Sequence, residues 1–157
     1  MTNKKDLMLT RIFDAPRKDV FQYWIDPNLM AKWWGPKGFI TPVSQLDVRP
    51  GGQIYLVMED LEGLIKKGSR YPMRGTFVEI DEPSKIVYES QALMDDKPII
   101  DNTTTITFKE TVDKMTKMIL RIAVTRATPE AEMPLRGMEV GWSQSFEKLS
   151  ELLQKNV

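Results

Sequence analysis

Few side chains in this sequence could carry acid–base chemistry. The 157 residues include no histidine and no cysteine, so the commonest general acid–base group and every thiolate are absent. The candidate acid–base or orienting groups in the strand-like segments are Tyr55, Glu59, Arg74, Tyr88 and Arg121. Polar strand residues mostly face water, so each of the five is more often an outer-face residue than a catalyst. A buried exception would indicate function, because an unpaired buried charge is costly.

Two other patterns invite a chemical interpretation and are better explained as turns. Residues 49–52, "RPGG", lack the Gly-Lys-Ser/Thr ending of a phosphate-binding loop and open no helix. The carboxylate pairs Asp81-Glu82 and Asp95-Asp96 lie in turn-like surroundings, where solvated charges are more common than metal ligands. We therefore assign no catalytic residue and expect no metal and no cofactor.

Residues 32–38, "KWWGPKG", place two of the four tryptophans directly before a Gly-Pro stop. Neighbouring side chains on a helix point about 100° apart, so Trp33 and Trp34 cannot both face the same core. Both rings could simply pack the helices against the sheet; alternatively, one packs in the core while Trp34 lines the entrance of a ligand cavity. For Trp142 the simpler interpretation is again core packing along a helical stripe, and Gly141 beside it allows a close backbone approach.

Composition excludes several functional classes. Lys plus Arg and Asp plus Glu both number 22, the net charge is +0, and no long run has one sign, so neither nucleic acid nor a membrane surface is an expected partner. No segment predicts a secretory signal or a bilayer-spanning helix. With 41% hydrophobic residues, residues 1–157 predict a single domain with a sizeable core. We expect a cytoplasmic location, and composition leaves the oligomeric state open.

Apolar periodicity predicts a strand over 6–13, two short helices within 16–34 and one long helix over about 133–154. Between the helices, turn residues separate six predicted strands, near 39–48, 53–59, 71–80, 85–93, 103–110 and 115–125. Short connections favour a sequential antiparallel meander. A helix of some twenty residues is about 30 Å long, which is enough to lie across a curved sheet.

Four motifs resemble one known family. They are residues 10–36 (TRIFDAPRKDVFQYWIDPNLMAKWWGP), 47–52 (DVRPGG), 73–89 (MRGTFVEIDEPSKIVYE) and 137–153 (GMEVGWSQSFEKLSELL). In this order they resemble the domain family named after the activator of the heat-shock-protein-90 ATPase, within the START-like superfamily. The resemblance covers nearly the whole chain. It implies a helix-grip α+β fold, with a bent antiparallel sheet of about seven strands around a long C-terminal helix and two short helices after the first strand.

The resemblance also implies a cavity between the sheet and the C-terminal helix. We expect it to exceed about 300 Å³ and to bind a small apolar or aromatic molecule. The residues expected to line it are Trp34, Tyr55, Met73, Arg74, Phe77, Tyr88, Leu120, Met138 and Trp142. One or two of Tyr55, Arg74 and Tyr88 would orient the ligand. The ten methionines either fill the core or form an adaptable apolar lining.

Two alternative functions stay open. A cyclase- or hydratase-type enzyme would use the same cavity and requires Glu59, Arg74 or Arg121 to be buried in it. A chaperone-interacting module with a role in stress is implied by the family name alone. Eukaryotic co-chaperones of the family carry an additional N-terminal domain, for which this chain has no room, so chaperone activation is not the function we expect. The hairpin loop within 59–70 is also longer than the turn common in the family, and its role is open.

Overall fold

Seven β-strands and four α-helices are formed by residues 6–155, the part of the chain that the computed structural model describes. The strands are β1 (Leu7–Phe13), β2 (Phe39–Leu46), β3 (Gln53–Asp60), β4 (Arg70–Asp81), β5 (Lys85–Met94), β6 (Lys97–Glu110) and β7 (Thr116–Ala127). The helices are α1 (Arg17–Ile25), α2 (Pro27–Trp33), α3 (Glu132–Arg136) and α4 (Met138–Lys155), with a 3₁₀ turn at Pro129–Ala131. The predicted helix-grip α+β fold is confirmed.

All seven strands join one antiparallel sheet in the order β1-β7-β6-β5-β4-β3-β2. Strands β2 to β7 form a meander, and β1 pairs with β7, with Leu7 opposite Ile122. Register irregularities interrupt the pairing of β2 with β3, of β4 with β5, and of β6 with both β5 and β7. Such irregularities bend strands and increase their twist, so the sheet curls around the apolar face of α4.

The hairpin that joins β5 to β6 is tighter than the sequence predicts. Asp95 and Asp96 both have positive φ, 52° and 63°, which is the conformation of a two-residue type I′ turn. Met94 and Lys97 therefore pair directly across the turn, and β6 begins at Lys97 rather than near residue 103. The pattern Asp-Asp is a weaker turn signal than Asn-Gly or Asp-Gly, because aspartate adopts positive φ less readily than glycine.

The predicted long C-terminal helix is divided at Gly137. The φ of −86° and ψ of −3° at this residue lie in the right-handed helical region, but the ψ departs from the usual helical value of about −42°, and α4 begins at the next residue. The division shortens the predicted helix to the 18 residues of α4, which is about 27 Å.

Polar contacts attach α4 to both edges of the curled sheet. Arg11 of β1 donates to Ser143 Oγ at 3.0 Å. Lys148 donates to the carbonyl oxygen of Phe39 in β2 at 3.3 Å, and burial lowers the pKa of Lys148. The helix thus bridges the two edge strands, with Phe146, Leu149 and Leu153 buried against the sheet.

Helix α2 packs against the edge strand β2, whereas α1 contacts the sheet at β6. Asp26 separates them and caps α2, since its Oδ1 accepts from the backbone N–H of Asn28 at 2.8 Å and of Leu29 at 3.3 Å. Two hydroxyl groups of β2 then bind the α2 region: Ser44 Oγ donates to Pro27 O at 2.8 Å, and Thr41 Oγ1 donates to Trp34 O at 2.7 Å. This arrangement protects an edge strand that would otherwise expose unpaired backbone groups.

A single carboxylate organises the loop between β3 and β4, residues 61–69. Asp60 has no exposed surface, and its two oxygens accept four backbone N–H groups at 2.7–2.9 Å, from Gly63, Leu64, Ile65 and Lys66. Burial alone would raise the pKa of Asp60, but the four hydrogen bonds together lower it below its ordinary value of 3.8.

Replacing this carboxylate tests its role in the loop. Asp60→Asn leaves one carbonyl oxygen for four donors, and we expect its unfolding temperature near pH 7 to be several degrees below that of the wild type. The pKa of Asp60 is lower in the folded state than in the unfolded state, so its contribution is present at neutral pH and is lost as the pH falls below about 4. Circular dichroism melts from pH 7 to pH 2.5 should show the difference narrowing in acid.

The matched control is Asp113→Asn, which changes an exposed aspartate in the turn between β6 and β7. It should melt like the wild type across the whole pH range. A difference between Asp60→Asn and the wild type that stays constant down to pH 2.5 would contradict the assigned role.

Candidate functional site

An apolar pocket lies between the inner face of β2 to β5 and the helices α1 and α2. Its lining side chains are Trp24, Met30, Trp34, Leu46, Ile54, Leu56, Met73, Phe77, Ile86 and Tyr88. The open volume is about 10 Å³, which is room for about one water molecule. The expected cavity of more than about 300 Å³ is therefore not open here, and the pocket that exists is bounded by the first two helices rather than by α4.

Aromatic rings fill the space between this pocket and α4. Trp142 of α4 stacks on Trp24, with ring centroids 6.0 Å apart and planes at 17°, and meets Trp34 edge-on at 4.9 Å. Phe146 lies 5.5 Å from Trp142. Because these rings occupy the interior between sheet and helix, the expected ligand space is packed.

The two adjacent tryptophans are both buried. Trp33 is fully buried, and its indole Nε1 donates to Tyr23 O at 2.9 Å. Trp34, the residue after α2, lines the pocket and is 9% exposed. Both rings therefore belong to the one hydrophobic core, which corrects the expectation that they would face different surroundings. The backbone of Trp34 is extended rather than helical, so the angular separation of neighbouring helical side chains does not apply to this pair.

Two buried polar groups belong to the pocket wall. The indole Nε1 of Trp24 is buried and has no hydrogen-bond partner within residues 6–155. An unsatisfied buried donor costs about 1–3 kcal/mol. Tyr88 is 4% exposed; burial raises the pKa of its phenol above the ordinary value of 10, while a hydrogen bond with Thr104 acts in the opposite direction. The phenol is therefore neutral and available for hydrogen bonding over the physiological range.

Next to Tyr88, a row of polar side chains continues along the inner face of β5 and β6. Asn102 Oδ1 accepts from Ser90 Oγ at 2.7 Å and from Thr104 Oγ1 at 3.4 Å. Sequence reasoning missed this row, although the signal was present. Strand side chains alternate between faces, so an inward Tyr88 in β5 implies an inward Ser90. In β6, an inward Ile106 implies an inward Thr104. The same alternation would extend to Asn102 if no register irregularity lay beside it.

The nine residues that the sequence predicts as ligand contacts do not all lie around one site in the structure. Four line the pocket: Trp34, Met73, Phe77 and Tyr88. Leu120 is fully buried in the core, and Met138 and Trp142 pack against the core from α4.

Tyr55 and Arg74 do not face the pocket, which corrects their expected position. They are cross-strand partners, and both are exposed on the outer face of the sheet. The physical reason is again alternation: Ile54 and Leu56 point inward, so Tyr55 between them points outward.

The residues required by the enzyme hypothesis are not buried in the pocket. Arg74 and Arg121 are exposed, and Glu59 is partly exposed and accepts from Arg70 Nε at 3.0 Å. None of the three lines the apolar pocket, which is the position that the hypothesis requires. Within residues 6–155, no group of three or more Asp or Glu side chains is placed to hold a metal ion.

The chain belongs to the family described as "Activator of Hsp90 ATPase homolog 1-like protein", which it matches over residues 14–154. This is a START-like fold, and members of the family generally bind ligands or partners. No curated protein matches the chain significantly. None of the helices in the described range is long and apolar enough to cross a bilayer.

Solved structures of similar proteins cover nearly the whole chain. A protein from Chromobacterium violaceum is 26% identical, with a TM-score of 0.79 over 94% of this chain and 96% of its own. A protein from Nitrosomonas europaea is 27% identical, with a TM-score of 0.77 and coverages of 96% and 95%. The AHSA1 protein from Silicibacter pomeroyi is 26% identical, with a TM-score of 0.77 and coverages of 98% and 100%.

The buried phenol makes a testable contribution to stability at alkaline pH. Above pH 10 the unfolded chain gains stability by ionising Tyr88, whereas the folded chain keeps this phenol protonated. The wild type should therefore lose stability faster than Tyr88→Phe as the pH rises, by up to about 1.4 kcal/mol per pH unit. Urea unfolding at pH 8, 9, 10 and 11 measures both curves, and equal slopes for the two proteins would contradict the assignment.

Proposed function

We propose that the protein binds a small apolar or aromatic molecule in the pocket between β2 to β5 and the helices α1 and α2. The buried indole N–H of Trp24 is the main support for this function. A ligand oxygen that accepted this N–H would remove the cost of an unsatisfied donor, while the apolar wall would supply most of the affinity. The favoured ligand therefore has an apolar body and one hydrogen-bond acceptor.

The pocket must expand to hold such a ligand. A cavity of about 150 Å³ accommodates benzene, whereas the unliganded pocket has about 10 Å³. Leu46 and Met73 are partly exposed lining residues, so they mark the side from which a ligand enters. Methionine has three rotatable bonds and adapts its shape easily, and rotation of Met73 is the least costly opening movement.

Enlarging the pocket by mutation tests the proposal. Met73→Ala removes side-chain volume from the wall, so a panel of small aromatic ketones and phenols, whose oxygens can accept from Trp24, should bind it more tightly than the wild type. Ligand at about 100 times Kd stabilises a protein by about 2.7 kcal/mol, which is a rise in melting temperature of roughly 5–10 °C at this size. Thermal-shift measurements across the panel give the comparison.

Met118→Ala is the matched control. Met118 is fully buried in β7 and is not a lining residue of the pocket, so its truncation destabilises the core without enlarging the site. The proposal fails if no compound stabilises the wild type or Met73→Ala, or if Met118→Ala gains the same response.

Native mass spectrometry of the purified protein gives an independent measurement. A mass excess that disappears on denaturation would identify a resident ligand of the proposed class. The expected cytoplasmic location stays a prediction from composition.

A further inference from the structure

A second and larger groove lies on the outer face of the sheet, opposite the apolar pocket. Its volume is about 550 Å³, within the range of small-molecule sites. The groove crosses β3 to β7, and no apolar side chain lines it. Its outward-facing lining residues are Gln53, Arg74, Thr76, Glu89, Gln91, Asp101, Thr103 and Thr125. Gly75, Ser90 and Asn102 also border it, although the side chains of Ser90 and Asn102 belong to the inner-face row. An occupant would therefore be polar and would bind through hydrogen bonds and charge.

One side of the groove is held by a row of side chains across adjacent strands. Arg74 Nε donates to Gln91 Oε1 at 2.8 Å, and Gln91 Nε2 donates to Asp101 Oδ1 at 3.0 Å. Asp101 Oδ2 in turn lies 3.9 Å from Arg126 Nη1. Gln91 has its oxygen toward the guanidinium and its amide N–H toward the carboxylate, so both ends of this side chain are fixed. The row thereby sets the position of Arg74 before any ligand arrives.

Two opposite charges at the groove remain available. Only the Nε of Arg74 has a hydrogen-bond partner among residues 6–155, so its two terminal nitrogens are free to donate. The carboxylate of Glu89 has no hydrogen bond or ion pair in the same range. By contrast, the carboxylate of Asp101 already accepts a hydrogen bond from Gln91 and forms an ion pair with Arg126.

The two free charges are close but do not neutralise each other. Thr76 is the direct partner of Glu89, and Arg74 is the direct partner of Gln91, so Arg74 and Glu89 are diagonal neighbours with main chains about 7–8 Å apart. At this separation their long side chains could pair directly. The hydrogen bond from Arg74 to Gln91 instead holds the guanidinium away from Glu89.

We propose that this groove binds a small zwitterion of the amino-acid type, free or as a short peptide. The ligand carboxylate lies on the terminal nitrogens of Arg74, which favour planar two-point contact with carboxylates, and the ligand ammonium lies on Glu89. The hydroxyl groups of Thr76 and Thr103 line the floor and supply further hydrogen bonds. Gln91 is a positioning residue, because it acts through Arg74.

The combination of charges selects this ligand class. A phosphate or other pure anion would be repelled by Glu89, and a pure cation would be repelled by Arg74. A neutral saccharide would leave both charges unpaired, and no aromatic side chain lines the groove for a sugar ring to stack on. Only a ligand with both charges pairs both groups.

Titration of ¹⁵N-labelled protein at constant ionic strength tests the proposal. The probes are glycine and glycylglycine, with N-acetylglycine, glycinamide and glucose as compounds that lack one or both charges. We expect saturable shifts at the backbone amides of Thr76, Glu89, Gln91 and Thr103 with the two zwitterions. Removal of either ligand charge should weaken binding at least about tenfold.

Variants of the free charges give the protein side of the test. Arg74→Gln and Glu89→Gln should each weaken zwitterion binding at least about tenfold. Arg121→Gln is the matched control for the arginine, because it removes an exposed outer-face charge outside the groove, and Glu151→Gln on α4 is the control for the glutamate. Both controls should bind like the wild type.

Gln91→Leu keeps both free charges and removes the contact that separates them. Arg74 can then pair with Glu89, so zwitterion binding should fall as far as it does in Arg74→Gln. Binding equal to the wild type would overturn the positioning role of Gln91.

Two results would overturn the site itself. One is the absence of saturable shifts with either zwitterion, and the other is equal binding of glucose or of the singly charged compounds. Because the groove and the apolar pocket lie on opposite faces of the sheet, neither result affects the proposed binding of an apolar ligand.

Discussion

The packing of Trp24 against its aromatic neighbours is the interaction on which the rest of the structure depends. Its ring centroid lies 4.7 Å from that of Trp33, 6.0 Å from that of Trp142, 6.4 Å from that of Phe108 and 6.3 Å from that of Phe146. These contacts join α1 to α2, to α4 and to the sheet. Each aromatic pair contributes about 0.5–1.5 kcal/mol beyond the burial of its surface, so one side chain holds four parts of the fold in register.

The same rings determine how the pocket can be used. The pocket is nearly closed without a ligand, so the observed affinity equals the intrinsic affinity reduced by the free-energy cost of opening the pocket. Tighter packing of the empty pocket therefore weakens ligand binding. Ligands with a flat aromatic body are favoured, because they can make aromatic contacts with Trp24 and Trp34 on the pocket wall.

Much of the fold could be predicted because its signals are local. Period-two alternation and turn residues identify the strands, and the four motifs supply the helix-grip arrangement. The start of β6 was misplaced because the Asp95-Asp96 turn depends on two unusual backbone conformations. The division at Gly137 did have a local signal, because glycine is a poor helix former.

The candidate site was less predictable because it depends on contacts between distant segments. Alternation alone would have placed Tyr55 and Arg74 on the outer face and Ser90 on the inner face. The closure of the pocket has no such signal, since it requires rings from residues 24, 34 and 142 to meet. The role of Asp60 is likewise hidden, because its four partners follow from the path of the loop rather than from residue type.

The place of β1 in the sheet affects how the protein is made. Strands β2 to β7 can pair one after another as they leave the ribosome, since each lies beside its predecessor in the chain. Strand β1 emerges first, yet its partner is β7, more than a hundred residues later. During translation, β1 and the apolar faces of α1 and α2 therefore lack their final contacts until the later strands have been synthesised. Such exposure favours aggregation of nascent chains, so completion of the fold is a late step that follows synthesis of nearly the whole domain.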